Sequence, residues 1–198
     1  MTKAVSASLL ILSMMLMSST SAVAADTKDD KKKQAEAEKE RQEIRKLSKD
    51  ILARLYKAQP SAKAAIGKAA GYATFSNFGL KIFVAGSGKG EGVAVNNKTK
   101  KETFMKMFEI QAGLGFGAKK FSLVWVFETS QAFDTFVNSG WELGGQASAA
   151  ASTGDKGGAL QGAVPISQGV WLYQLTDKGV ALELTAKGTK YYKDDDLN

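Results

Sequence analysis

Glycine recurs at every second position from residue 86 to residue 92, in the stretch VAGSGKGEGVAV. A period of two is that of an extended chain, whose successive side chains point to opposite faces. Gly86, Gly88, Gly90 and Gly92 therefore share one face, continued by Ala94, and that face carries almost no side chain. The rival reading is a phosphate-binding loop, and the residues argue against it. Such a loop needs a glycine five residues before Gly88, where Phe83 stands, and a Ser or Thr after Lys89, where Gly90 stands. It must also lead into a helix, whereas Val93-Ala94-Val95-Asn96-Asn97 reads as a strand and a turn. A second bare face recurs at Gly113, Gly115 and Gly117, with Leu114 and Phe116 pointing the other way. A strand face of this kind has two uses: close approach of another backbone or an aromatic ring where a sheet bends, or a groove for an acyl chain. Lys89 and Glu91 are then outward neighbours near a hairpin tip.

The period-two pattern predicts short strands near 72–76, 80–86, 91–97, 103–110, 111–118, 121–127, 141–150, 159–166, 169–175 and 180–186. Asn96-Asn97 opens a turn that runs to Lys101, Lys119-Lys120 fits a tight hairpin, and Asp177-Lys178-Gly179 fits a turn with its glycine in the left-handed conformation. From Leu123 to Phe127 the chain is apolar without alternation, which requires a strand covered on both faces. One helix interrupts the strands. Thr129 caps it, Ala132, Phe133, Phe136 and Val137 form its buried stripe, and Gly140 stops it. Ahead of the strands, Ile44, Leu47, Ile51, Leu52 and Leu55 recur at spacings of three and four and share one helical face. Gln59-Pro60 ends that helix, and Ser61 is placed to cap a second, short one running to Ala70, with Gly71 as its stop. The expected fold is α+β: a curved, partly barrel-like, mainly antiparallel sheet, with N-terminal helices and one inserted short helix packed on it.

Residues 1–24 read as a secretory signal peptide: Lys3, an apolar run from Leu9 to Met17, and the small triplet Ala22-Val23-Ala24 before the cleavage point. The run is shorter than the roughly 20 residues that span a bilayer. The mature chain is thus expected outside the cytoplasm, in a periplasm or beyond, and peripheral to a membrane if it meets one. Residues 25–43 form a charged lead-in, helical or disordered, and 44–198 a single domain. Loss of residues 1–24 removes one charge, Lys3, from the net +7 and leaves +6. A basic exported protein is drawn to anionic lipid or polymer, and its export argues against nucleic acid as a natural partner.

The chain has no cysteine and no histidine. Disulfides, thiolate and imidazole metal sites, and triads built on histidine are excluded. Acid–base chemistry would fall to carboxylates, of which Glu109, Glu128, Glu142 and Glu183 are candidates, but no pair has a spacing that argues for it. Glu109 and Glu142 read instead as partly buried glutamates. The closing KDDDLN lacks the glycine and later glutamate of a calcium loop and reads as a solvated tail. No catalytic residue, metal or cofactor is expected.

Three stretches, YATFSNFGLKIFVAGSGKGEGVAV, QAGLGFGAKKFSLVWVFETSQAFDTFVNSGWELGGQASAA and YQLTDKGVALELTAKGTKYYKDDDLN, together resemble the SYLF-domain family from about Ala65 to Asn198. The resemblance is to its exported bacterial branch. It implies a lipid-binding domain, helped in eukaryotic members by basic residues and an amphipathic N-terminal helix, some of those members also binding actin. The corresponding helix here would be Ile44 to Tyr56, with Arg45, Lys46, Lys49 and Arg54. Ser87 and Lys89 stand among the glycines where relatives often carry an aromatic residue. Together with Lys89 and the lysine pairs Lys100-Lys101 and Lys119-Lys120, the helix cations are the expected contacts for anionic phospholipid. The alternative is a structural or protein-interaction module of the cell envelope, with an envelope protein as partner and no lipid.

Overall fold

The structure is a computed structural model that describes residues 20–76, 88–109, 121–143, 160–176, 179–181 and 189–198. The strands predicted at 80–86 and 111–118, the Lys119-Lys120 hairpin and the glycines Gly86, Gly113, Gly115 and Gly117 lie outside the described residues. Two units are distinguished, Met1–Lys39 and Glu40–Asn198. The described part of the first is helical and carries two exposed pairs one turn apart, Lys33–Asp29 at 3.0 Å and Lys32–Glu36 at 4.0 Å. Pairs of this kind stabilise a solvated helix by a few tenths of a kcal/mol, about 0.2–0.5 each.

The chain forms α1 (Thr20–Ala58) and α2 (Ser61–Lys68), then β1 (Gly71–Ser76), β2 (Gly88–Asn96), β3 (Glu102–Glu109) and β4 (Ser122–Phe127). After α3 (Ser130–Ser139) come β5 (Trp141–Leu143), β6 (Val164–Ser167), β7 (Val170–Thr176), β8 (Gly179–Ala181) and β9 (Thr189–Lys193). The nine described strands make one sheet in the order β5-β9-β3-β2-β1-β4-β7-β6, every pair antiparallel. β8 shares the last edge with β6: β6 pairs with Val170–Leu172 of β7, and β8 with Gln174–Thr176. Pro165, which lacks a donor, sits on that edge beside a register shift, where a proline is tolerated.

The sheet is curved. Trp125 on β4 and Trp141 on β5 are five strand steps apart, which is about 24 Å across a flat sheet. Their ring centroids lie 6.1 Å apart, and Tyr191, four steps from β4, lies 5.0 Å from Trp125. Only a sheet that curls back on itself brings these rings together. The inside of the curl is filled by Phe75, Met105, Met107, Leu123, Trp125, Phe127 and Tyr191, closed by Phe133, Phe136 and Val137 of α3. Thr129 caps α3 by accepting a hydrogen bond from the Ala132 N–H, and Gly140, at φ 72°, ends it. The apolar strand is covered on both faces: Leu123, Trp125 and Phe127 face α3, while Val124 and Val126 face the N-terminal helices.

α1 and α2 cover the outer face. Ile44, Ile51 and Leu55 are 2%, 1% and 0% exposed, with Leu47 and Leu52 packed beside them. Removing those three buried side chains from water contributes about 5–9 kcal/mol, so the stripe belongs to the domain core. Within that interface Thr74 Oγ1 donates to Ser48 Oγ at 2.8 Å. The α2 start differs from expectation. Pro60 occupies the cap position without a side-chain cap bond, and the Ser61 hydroxyl accepts from Gln59 Nε2 instead. Proline fits there because the missing N–H is one the helix start leaves unpaired anyway. The extended residue after α2 is Ala69, and Gly71 opens β1.

The largest departure is at the C-terminus. Residues 189–198 are an inner strand and a pinned turn, not a solvated tail. β9 pairs with both β3 and β5, with Thr189 and Tyr191 buried and Lys190 and Tyr192 turned away. Leu197 is 2% exposed. The Asn198 side chain donates to the Phe104 carbonyl at 2.8 Å and accepts from the Phe104 N–H at 3.0 Å, extending the ladder by one step.

Candidate functional site

The β2 glycines show why the sheet tolerates bare positions. A Cβ on Gly92 would meet the Thr74 carbonyl oxygen and the Phe75 ring, and one on Gly90 would lie 2.5 Å from Met107 Cε and 2.6 Å from the Ser76 carbonyl oxygen. Core side chains and neighbouring backbone occupy the space beside Gly90 and Gly92. Gly88 pairs with Glu109 at the start of β2. Of the two uses set out for this face, the arrangement at Gly90 and Gly92 is close packing.

Among the described residues, the cations expected to meet lipid are dispersed; Lys119 and Lys120 lie outside them. Arg45 is engaged by the domain itself: its Nε donates to Glu102 Oε2 at 2.7 Å, and its guanidinium stands 5.3 Å from the Phe104 ring centroid. Arg54 donates to the Thr176 carbonyl at 3.2 Å. Lys46 and Lys49 are exposed on α1, interspersed with exposed Glu43 and Asp50, so the outer helix face is of mixed sign. Lys89 lies in β2, opposite Phe108.

A denser group of cations forms at the C-terminal end of α2. The Asn97 side chain donates to the Ile66 and Ala69 carbonyls at 2.7 and 2.9 Å, and its backbone N–H to the Ala70 carbonyl at 2.9 Å. These bonds add to the 3.3 Å bond that the Ile66 carbonyl accepts from the Ala69 N–H, and give partners to the carbonyls of Ala69 and Ala70 just past the helix. They also clamp the β2–β3 turn against the helix. Asn96 shapes the turn by accepting from the N–H groups of Lys98 and Thr99, both at 3.0 Å, and Lys100 takes a left-handed φ of 61°. The result sets Lys98, Lys100 and Lys101 beside Lys68 in the last turn of α2. All four are exposed, and none is in an ion pair among the described residues. Lys100 and Lys101 are the pair expected from the sequence; Lys68 and Lys98 carry no such signal and join them only because Asn97 docks the turn on the helix.

A second cluster lies under the start of the docked part of α1. Lys106 Nζ bonds Asp194 Oδ1 at 2.7 Å and Asp196 Oδ2 at 3.3 Å, with Asp194 only 1% exposed. Burial works against the Lys106 charge, but its bonds to the two aspartates hold its pKa above the ordinary lysine value. Glu91, opposite Lys106 in the ladder, is not the solvated outward residue expected from the alternation. Its Oε2 is buried with no hydrogen-bond partner among the described residues. Burial, reinforced by the negative charges of Glu40 and Asp194, pushes its pKa up to about 7. Glu40 is raised too, through burial and then Asp194. No alternation rule could have found this, because the cover comes from a helix some 50 residues away in sequence. Glu142, expected to be partly buried, is exposed, and so is Glu128.

Among the described residues no helix is long and apolar enough to cross a membrane, and no group of acidic side chains is arranged to hold a metal ion. Residues 108–198 match the Ysc84 family, described as Las17-binding protein actin regulator. Over 154 residues, 78% of this chain, the sequence is 37% identical to Beta cell expansion factor A of Aeromonas veronii. The chain belongs to the Ysc84, or SYLF, family. It spans 57% of the length of that relative. The family match begins inside β3 and runs through the buried aromatic strand, α3 and the pinned C-terminal turn. Those elements enclose most of the inner aromatic core.

Proposed function

We propose that this SYLF-family domain is a non-catalytic binding module that meets anionic phospholipid at the α2 end, through Lys68, Lys98, Lys100 and Lys101. The observation that carries the reading is the clamp at Asn97, which gathers four exposed lysines with no ion-paired carboxylate among them. Each lysine near an anionic surface contributes about 1 kcal/mol, so four favour anionic over neutral bilayer by roughly a thousandfold. The leader-like residues 1–24 and the net positive charge support an exported protein that meets such surfaces from outside the cytoplasm. The apolar stripe of α1 takes no part, because the sheet already covers it. Arg45 and Arg54 serve the fold, holding α1 to β3 and β7.

Co-sedimentation with phosphatidylglycerol and phosphatidylcholine vesicles tests the reading. Binding to the first alone, weakening steeply as salt is raised, is the expected outcome. Equal affinity for both at low salt removes the lysines as the headgroup contacts, and binding to neither removes lipid as the partner and leaves an acidic protein surface as the ligand for the same lysines.

A further inference from the structure

Five carboxylates and one lysine surround the first docked turns of α1, with Glu43 and Asp196 on the exposed side. Glu40 and Glu43 approach from the helix, Asp194 and Asp196 from the C-terminal turn, Glu91 from β2 and Lys106 from β3. Ser76, opposite Glu91 on β1, brings no charge. Of the nearby helix cations, Arg41 donates to the Leu197 carbonyl at 2.8 Å and Arg45 to Glu102. Lys106 is spent on the two aspartates. Glu91 thus sits under α1 with a carboxyl oxygen that is buried and has no hydrogen-bond partner among the described residues, beside negative neighbours that the charge of Lys106 only partly offsets.

We infer that the Glu91 carboxyl is a proton-operated latch: with its proton on, α1 seats on the sheet, and with its proton lost, the seat is weakened and the segment from Glu40 to Leu55 opens more often. The physical reason is that a neutral carboxyl tolerates burial beside other carboxylates, whereas a fourth or fifth negative charge in the same place does not. The sign follows from proton linkage. The docked state holds the Glu91 proton up to about pH 7, while an opened, solvated Glu91 loses it in the ordinary carboxylate range. Between those values the docked state binds more protons, so docking weakens as pH rises through that window. The device stands apart from the lysine end and does not require lipid.

Amide exchange of Ile44, Ser48, Ile51 and Leu55 in the full-length chain, corrected for intrinsic rates, reads the opening directly. With solvent screening of the half-buried group taken into account, protection should fall on the order of tenfold between pH 5 and pH 8.5. In Glu91→Gln it should change less than twofold over the same range. The carboxyl carbon of Glu91, followed by NMR in the unaltered protein, should titrate near neutrality, and Glu40→Gln should lower that midpoint. A Glu91 midpoint in the ordinary carboxylate range overturns the inference whether or not the glutamine variant folds. An equal loss of protection in Glu91→Gln and in the unaltered protein overturns it too.

Discussion

Gly92→Ala puts the packing of the curved sheet under direct strain. The added methyl points into the inner core, where its ideal position overlaps the Thr74 carbonyl oxygen and the edge of the Phe75 ring. Phe75 is fully buried and held edge-on against Tyr191 at 4.9 Å and against Phe136 at 6.1 Å. The ring cannot retreat without displacing both, and the carbonyl belongs to a strand paired on both sides. Burying one methyl group contributes about 0.8 kcal/mol, and alanine also lowers the backbone entropy of the unfolded chain by up to about 1 kcal/mol. Overpacking opposes this with a penalty of about 1–3 kcal/mol, at its upper end where backbone must move. The net expectation is destabilisation by about 1–2 kcal/mol, a drop in Tm of about 2–8 °C for a domain of this size. Urea unfolding followed by tryptophan fluorescence measures it, with the midpoint moving at unchanged slope. A variant as stable as the parent, or more so, would show that the face beside Gly92 is open, and the close-packing argument would fail with it.

Gly67→Ala should act in the opposite sense, because Gly67 lies in α2 with nothing within 4 Å of a built Cβ. A gain of about 0.5–1 kcal/mol in the same unfolding assay is expected, and a loss would mean that α2 is not helical at that position. Lys106→Met leaves the buried Asp194 carboxylate without its cation. Breaking a fully buried pair costs about 3–5 kcal/mol, and since Lys106 is a third exposed the expected loss of stability is nearer 2 kcal/mol. A loss under about 0.5 kcal/mol would return the pair to the class of surface ion pairs.

Local rules carried much of the fold. Thr129, the Phe133-Phe136-Val137 stripe and Gly140 define α3 without reference to the rest of the molecule, and the unalternating 123–127 run requires the two covers it receives. The alternation of glycine correctly placed β2 in a sheet. What was not legible depends on distant segments meeting. Thr189-Lys190-Tyr191-Tyr192-Lys193 has strand-like residues and alternation, but its strand is only five residues long and draws its stability from β3 and β5 on either side. Asp194 and Leu197 are polar-tail residues by composition, and they become buried because Lys106, Phe104 and Arg41 are waiting for them. For the candidate site the same division holds. Lys100 and Lys101 were visible as a turn, whereas their junction with Lys68 and Lys98 rests on the Asn97 bonds to α2. Arg45 looked like a surface cation of an amphipathic helix until Glu102 and Phe104, some 57 residues further along, were seen to hold it.

The account places surface recognition at the α2 end and not on α1, and one comparison tests that placement. Binding to phosphatidylglycerol vesicles is measured for Lys98→Ser/Lys100→Ser/Lys101→Ser and for Lys46→Ser/Lys49→Ser, each against the parent chain. Removal of the three turn lysines should weaken binding by roughly a hundredfold, at about 1 kcal/mol per charge, while the helix pair should change it only a few-fold. Undiminished binding by the turn variant, with a large loss in the helix variant, would contradict the placement and move the binding surface to α1.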